Sequence, residues 1–292
     1  MTRITIIGPG AIGLTVGAAL IDAGHAVTFA GRQPFELVTV KTEEGVFRRH
    51  VAKSIIDEPV PPADWSLVCT KAHQTEGAAE TIRRAVAPGA RAAVLQNGVE
   101  HTERLASIVP AEVPVVPVVV ETPANRLGRG EVFWFGRAGL SVADTADGRD
   151  FSALFANTFI PVQTVEDIRT RMWRKLCANA PGAILCLTGR PMEVFHAPGI
   201  ADLARAILAE CVAVGRADGA HLDDEVVDAQ MAAFLSAPPD ERNSMFEDVI
   251  AGHDTEWDAR NGVIVRKAAL YGIDVPVSRS LVPLLAALRR SA

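Results

Sequence analysis

Short apolar runs alternate with amphipathic stretches through the first half of the chain. Ile4–Ile7, Ala26–Ala30, Leu67–Thr70, Ala92–Leu95 and Val115–Val120 read as strands. The stretches Ala11–Ala23, Thr75–Val86 and Glu100–Ile108 carry helical spacing between them. Near-continuous apolar strands separated by helices predict a parallel sheet covered on both faces. Glu131–Gly136 and Leu140–Val142 add strands with Gly-rich turns, Phe151–Phe159 reads as a helix and Pro161–Val165 as a last strand.

Past Glu166 the pattern changes and long helical periodicities dominate. Helices are expected at Ile168–Ala178, Gly199–Asp218, Asp223–Leu235, Asp240–Ala251, Glu256–Tyr271 and Val277–Arg290, with Gly272 as a stop signal. The expected class is therefore α/β followed by all-α, with a boundary near Glu166: one domain over 1–166 and a second over 167–292. The 292-residue length suits two cores.

The turn after the first strand brings in chemistry. ITIIGPGAIG places Gly8, Gly10 and Gly13 in a G-x-G-x-x-G pattern between strand and helix. In a Rossmann domain the first glycine allows the tight turn, the second admits a pyrophosphate, and the third lets helix pack on strand. The helix start at Ala11 and Ile12 offers unpaired amides and positive partial charge, whereas Pro9 has no N–H to give. The same frame explains the glycine-broken apolar stretch up to Ile21 without a membrane span or signal segment.

The end of the second strand selects the cofactor. An NAD site usually carries an acid there for the ribose hydroxyls. Here the sequence is FAGRQ, where Gly31 leaves room and Arg32 offers a planar cation for a phosphate, so NADP(H) is expected. CTKAHQ and LQNGV fall at later strand ends and put Lys71 and Asn97 on the ligand-binding edge of the sheet. His73 and His101 lack a carboxylate partner at useful spacing and are read as surface or packing residues.

In the second half, MWRKLCANA sets Lys175 and Asn179 one helical turn apart on a shared face. NSMFEDVIAGHDTEWDARNG brings a hydroxyl at Ser244 and a carboxylate at Glu256. Taken locally, Glu256 is a helix-start acid paired with Arg260 at i+4.

Composition narrows the partners. The net charge is −6, with 49 % hydrophobic and 22 % charged residues. A weakly acidic chain without a basic block lacks the electrostatic footprint of a nucleic-acid binder. Cys69, Cys177, Cys186 and Cys211 have no metal-ligand spacing and read as buried free thiols, which fits a reducing cytoplasm. No metal is expected.

In order and spacing, GPGAIG, QNGV, WRKLCAN, SMFEDVIAGHDTEWDARNG and YGIDVP together resemble the ketopantoate reductases over nearly the whole chain. The resemblance implies a Rossmann domain, an all-helical C-terminal domain, and NADPH-dependent reduction of 2-dehydropantoate to pantoate, or of a closely related 2-oxo acid, within pantothenate biosynthesis. It implies Lys175 as general acid, Glu256 as the carboxylate orienting the lysine and substrate, Asn97 near nicotinamide and lysine, and Asn179 and Ser244 as substrate contacts. The family usually adds a further asparagine a turn beyond Asn179. This chain has Pro181, Gly182 and Ala183 there, and EWDARNG in place of E-I-D-Y-x-N-G, with Trp257 and Ala259 at the altered positions. Pro181 is expected to break or bend the helix. A reductase of a different carbonyl substrate and a non-catalytic NADP-binding regulator are the alternatives. The expected partner is a small 2-oxo acid, with no nucleic acid, no membrane, and a homodimer left open by the helical second domain.

Overall fold

The computed structural model describes residues 1–51, 53–55, 59–136 and 138–288. The chain forms two compact units. The first comprises residues 1–96 and 100–168, the second residues 97–99 and 169–292.

The first unit follows the order β1 (Arg3–Ile7), α1 (Ala11–Asp22), β2 (Ala26–Ala30), β3 (Leu37–Thr42), β4 (Gly45–His50), β5 (Lys53–Ile55), β6 (Ala63–Val68), α2 (Ala79–Ala85), β7 (Val86–Val94), α3 (His101–Leu105), β8 (Val115–Pro117), β9 (Val119–Val120), β10 (Ala124–Gly128), β11 (Glu131–Trp134), β12 (Leu140–Ala143), α4 (Ala146–Ala153) and β13 (Val162–Val165). Six strands form the main sheet in the order β5-β2-β1-β6-β7-β8, with every pairing parallel. This is the doubly wound order, and strand succession reverses between β1 and β6. One face of the sheet buries Ile4, Ile6, Leu67 and Ala93 with Leu14, Leu20 and Phe151. The other buries Ile7, Val68, Ala92 and Val94 with Ile82 and Leu105. That two-sided burial is why these strands carry no polar alternation.

Several elements depart from the sequence expectation. The hairpin β3–β4 joins β11 and β10 in a four-stranded sheet that the hydrophobic pattern did not announce, because β4 is mostly exposed. The Val115–Val120 run is two strands in two sheets, interrupted after Pro117. The helix expected over Phe151–Phe159 lies earlier, since the Thr145 hydroxyl caps it by accepting from the Gly148 amide at 3.1 Å. Asn157, at φ +61°, ends any continuation. The helix expected from Thr75 opens as two single 3₁₀ turns, Ala72–Gln74 and Glu76–Ala78, before α2. Gly77 weakens helical propensity at that point.

The second unit is helical: α5 (Ile168–Asn179), α6 (Ala183–Thr188), α7 (Ile200–Ala217), α8 (Val226–Ser236), α9 (Ser244–Ile250), α10 (Val263–Tyr271) and α11 (Pro276–Ala286). Buried Ala204, Ile207, Leu208, Cys211 and Gly215 mark the inward stripe of α7. As expected, α5 stops at Pro181: a 3₁₀ turn over Ala180–Gly182 redirects the chain into α6. Gly272, at φ +67°, closes α10 as its left-handed cap. The helix into α10 starts with a π turn over Asp258–Gly262, one residue wider than an α turn. The closing helix ends at Ala286, and residues 289 and 290 of the expected span lie outside the described residues.

A buried acid holds the second unit together. Asp218 is 6 % exposed and accepts hydrogen bonds from Lys267 at 2.9 Å, Tyr271 at 2.6 Å and Trp173 at 2.9 Å. Its carboxylate thereby ties α5 and α10 to the end of α7. Burial alone would raise its pKa, but the three donated hydrogen bonds and the Lys267 charge outweigh it and hold the carboxyl below its ordinary value.

Candidate functional site

In the first unit the glycine turn sits where strand order reverses. Gly8 takes φ +89°, donates to the Ala30 carbonyl at 3.0 Å, and passes so close to β6 that a Cβ would lie 2.7 Å from the Thr70 nitrogen. A Cβ on Gly13 would overlap the Gly8 carbonyl oxygen. Gly10 is different: no heavy atom lies within 4 Å of where its Cβ would stand. The turn is thus closed where helix meets strand and open at Gly10, the N-cap of α1. Ala11 and Ile12 follow half-buried in the first turn, whose amides have no intrahelical acceptors. This open, amide-lined helix start fits a dinucleotide pyrophosphate.

Gly31 meets its own constraint, since a Cβ there would lie 2.5 Å from Pro9 Cγ. The next residue, Arg32, is exposed and makes no ion pair among the described residues. Lys71 opens the 3₁₀ turn after β6, where its amide donates to Gln74 Oε1 at 3.4 Å.

Gln96 is a residue that the sequence reading missed. It is buried, and its amide nitrogen lies 2.9 Å from the Thr70 carbonyl, 3.0 Å from Thr70 Oγ1 and 2.8 Å from Thr75 Oγ1. It pins the loop that backs Gly8. Its sequence signal was a polar residue at the end of an apolar strand, directly before Asn97. His101 is buried with Nε2 2.8 Å from the Gln96 carbonyl, and His73 is exposed; both match the packing and surface reading.

The second unit contains the other polar cluster. Asn97 Nδ2 donates to Glu256 Oε2 at 3.0 Å. Asn179 Nδ2 reaches Asn97 Oδ1 at 3.5 Å, the limit of a hydrogen bond. Glu256 is buried, at 9 % exposure, at the entry to the π turn. Lys175 is half-buried on α5, one turn before Asn179. Ser244 is exposed at the start of α9, which Asn243 caps by accepting from the Phe246 amide at 2.9 Å. Residues far apart in sequence therefore meet as Glu256–Asn97–Asn179, with Lys175 on the helix that carries Asn179.

Arg260 extends the local reading. It is 1 % exposed, so it meets Glu256 from the interior. Its guanidinium donates to the Asn179 carbonyl at 2.9 Å and to Ser244 Oγ at 3.4 Å. Burial lowers its pKa, while the nearby Glu256 carboxylate works in the opposite direction. Gly182, in the stretch where the further asparagine is missing, lies under another amide: Asn243 Nδ2 donates to its carbonyl at 3.3 Å and would overlap a Cβ there.

Among the described residues no His, Cys, Asp and Glu group could hold a metal ion, and no helix is long and apolar enough to cross a membrane. Comparison with known proteins agrees in both halves of the chain. The family model "Ketopantoate reductase PanE/ApbA" matches residues 4–147, and "Ketopantoate reductase PanE/ApbA C terminal" matches residues 167–289. A 2-dehydropantoate 2-reductase of Caulobacter vibrioides is 40 % identical over 286 residues, covering 98 % of each chain. The crystal structure of a PanE/ApbA family ketopantoate reductase from Ralstonia eutropha JMP134 superposes with a TM-score of 0.87 at 32 % identity, again over 98 % of both chains. A dimeric ketopantoate reductase from Staphylococcus aureus gives 0.86 at 25 % identity, with the same coverage.

Proposed function

Because the chain belongs to the ketopantoate reductase family, we propose that it reduces 2-dehydropantoate to pantoate with NADPH, using Lys175 as the proton donor. The glycine turn and α1 hold the dinucleotide, and Arg32 binds its 2′-phosphate. Lys71 and Asn97 contribute further cofactor contacts. When bound, the reduced nicotinamide supplies the hydride that the carbonyl carbon receives.

As that carbon is reduced, negative charge grows on the carbonyl oxygen. The Lys175 ammonium stabilises this charge and then transfers a proton to it. Asn97 donates to the Glu256 carboxylate and so holds it in place, from where it orients the lysine and the substrate. Asn179 and Ser244 bind the substrate. The observation that carries this reading is the 3.0 Å hydrogen bond from Asn97 to Glu256, continued toward Asn179 one turn from Lys175. A binding-only regulator has no use for a carboxylate held beside a lysine-bearing helix. We further place the reaction in the cytoplasm and assign the chain a homodimeric state, in line with the dimeric Staphylococcus aureus enzyme.

The test is a panel of 2-oxo acids, each assayed with NADPH and with NADH by nicotinamide absorbance. The expected result is a kcat/KM for ketopantoate about tenfold or more above the other acids. A different acid at the head of the panel would shift the substrate assignment. Gly182, under the Asn243 amide where the family carries a further asparagine, is the observation that favours that second reading. Tight NADPH binding without turnover of any acid would replace the enzyme by a binding protein.

A further inference from the structure

Arg260 is among the largest fully buried side chains of the protein. A guanidinium taken out of water costs stability unless partners compensate. Here the compensation is mixed: the Glu256 and Asp248 carboxylates favour the cation and the bond to Asn179 O is good, but the bond to Ser244 Oγ is long and Nε has no hydrogen-bond partner among the described residues. Fold stability alone does not account for this choice, because an apolar side chain of similar volume would fill the space without that cost. Beyond its charge near Glu256, what the arginine adds lies in its two hydrogen bonds. Both end on residues assigned to the substrate, Asn179 and Ser244.

The direction of these bonds carries the argument. Arginine has five donors and no acceptor. In the Arg260–Ser244 contact the serine oxygen must therefore accept, and its single hydroxyl hydrogen points elsewhere. Ser244 is exposed and its hydroxyl donates to no acceptor among the described residues, so that hydrogen is available to a ligand, polarised by the cation behind it. A 2-oxo acid offers a carboxylate and a carbonyl, all acceptors. The second bond fixes the last carbonyl of α5, the helix that bears Lys175 and Asn179. The π turn makes both contacts available, since it carries Arg260 on the widened segment just past Glu256.

We infer that Arg260 is a positioning residue that sets the Ser244 hydroxyl as an outward donor for the acidic substrate and fixes the end of α5. This inference rests on the proposed reduction of a 2-oxo acid.

The experiment is a double-mutant cycle of Ser244→Ala and Arg260→Met, with Arg260→Lys as the conservative variant. In the parent, Ser244→Ala raises KM for the 2-oxo acid about tenfold, as expected for one hydrogen bond to a charged group, and leaves the Kd for NADPH unchanged. Arg260→Met raises KM by a similar factor, and adding Ser244→Ala to it has less than about a twofold further effect, because the serine already lacks its polarity. Arg260→Lys recovers part of the KM. If Arg260→Met does not fold by circular dichroism, Arg260→Lys carries the same cycle. Equal effects of Ser244→Ala in both backgrounds, or an unchanged KM in the arginine variants, overturns the positioning role. A parent inactive on every acid overturns the functional reading instead. In that case the same variants are titrated calorimetrically with pantoate in the presence of NADP, and the coupling, or its absence, is read from Kd.

Discussion

The two units build their candidate sites in opposite ways. The first concentrates its candidate site in one contiguous turn, where Gly8 and Gly13 are closed in by neighbouring atoms and Gly10 is left open, all within six residues of chain. The second assembles it from Asn97, Asn179, Ser244, Glu256 and Arg260, which are distant in sequence and are joined by hydrogen bonds. A backbone-built site tolerates almost any side chain around it but few at its glycines. A side-chain-built site depends on partners, so one substitution is felt by several residues at once.

That contrast can be broken most forcefully at Lys175. Replacing it with alanine should lower kcat by roughly a hundred- to ten-thousand-fold while NADPH still binds, as followed by fluorescence titration of the cofactor. If cofactor affinity falls in parallel, the two kinds of chemistry are not separable.

The next largest effect is structural and confined to the helical unit. Asp218→Asn removes the charge that Lys267 faces in the interior and should cost about 3 kcal/mol in denaturant unfolding at neutral pH. The sign with pH follows from the depressed folded-state pKa of Asp218. Its stabilisation is complete above the unfolded-state value, about 3.9, and is lost as pH falls through the lower folded value. The parent should therefore lose its advantage over the asparagine variant in acid. A gap that stays constant down to that range would remove Asp218 from the account.

The smallest effect sharpens the cofactor side. Arg32→Asp should weaken NADPH binding about tenfold or more, the worth of a charge-assisted hydrogen bond to phosphate, and NADH binding much less. Equal losses for both cofactors would mean that Arg32 does not read the phosphate.

Legibility in the sequence followed the same division. The glycine turn was readable because its residues are adjacent and each has a local reason. The helical unit was readable as helices, since apolar spacing reports burial whatever the partner. Its polar cluster was not readable from local pattern: Lys175 and Asn179 look like an ordinary polar face, and Glu256 looks like a helix-start acid. Only the resemblance to a family joined them. The burial of Arg260 was not readable, because i+4 spacing cannot distinguish an exposed pair from an inward one on a π turn. Gln96 was passed over because its three acceptors come from another loop. The β3–β4 hairpin escaped notice because one of its strands buries almost nothing.

The π turn has a consequence for how this chain can vary. Glu256 at its entry and Arg260 within it face the polar cluster; downstream the helix presents Lys267 and Tyr271 to Asp218. Each residue of an α-helix advances the azimuth by about 100°. Deleting one residue between these two stations would swing one of them away from its target, whichever end stayed anchored. The inserted residue thus works like a vernier between two fixed marks, and insertions or deletions over 257–266 should be far less tolerated than substitutions at its solvent-facing positions.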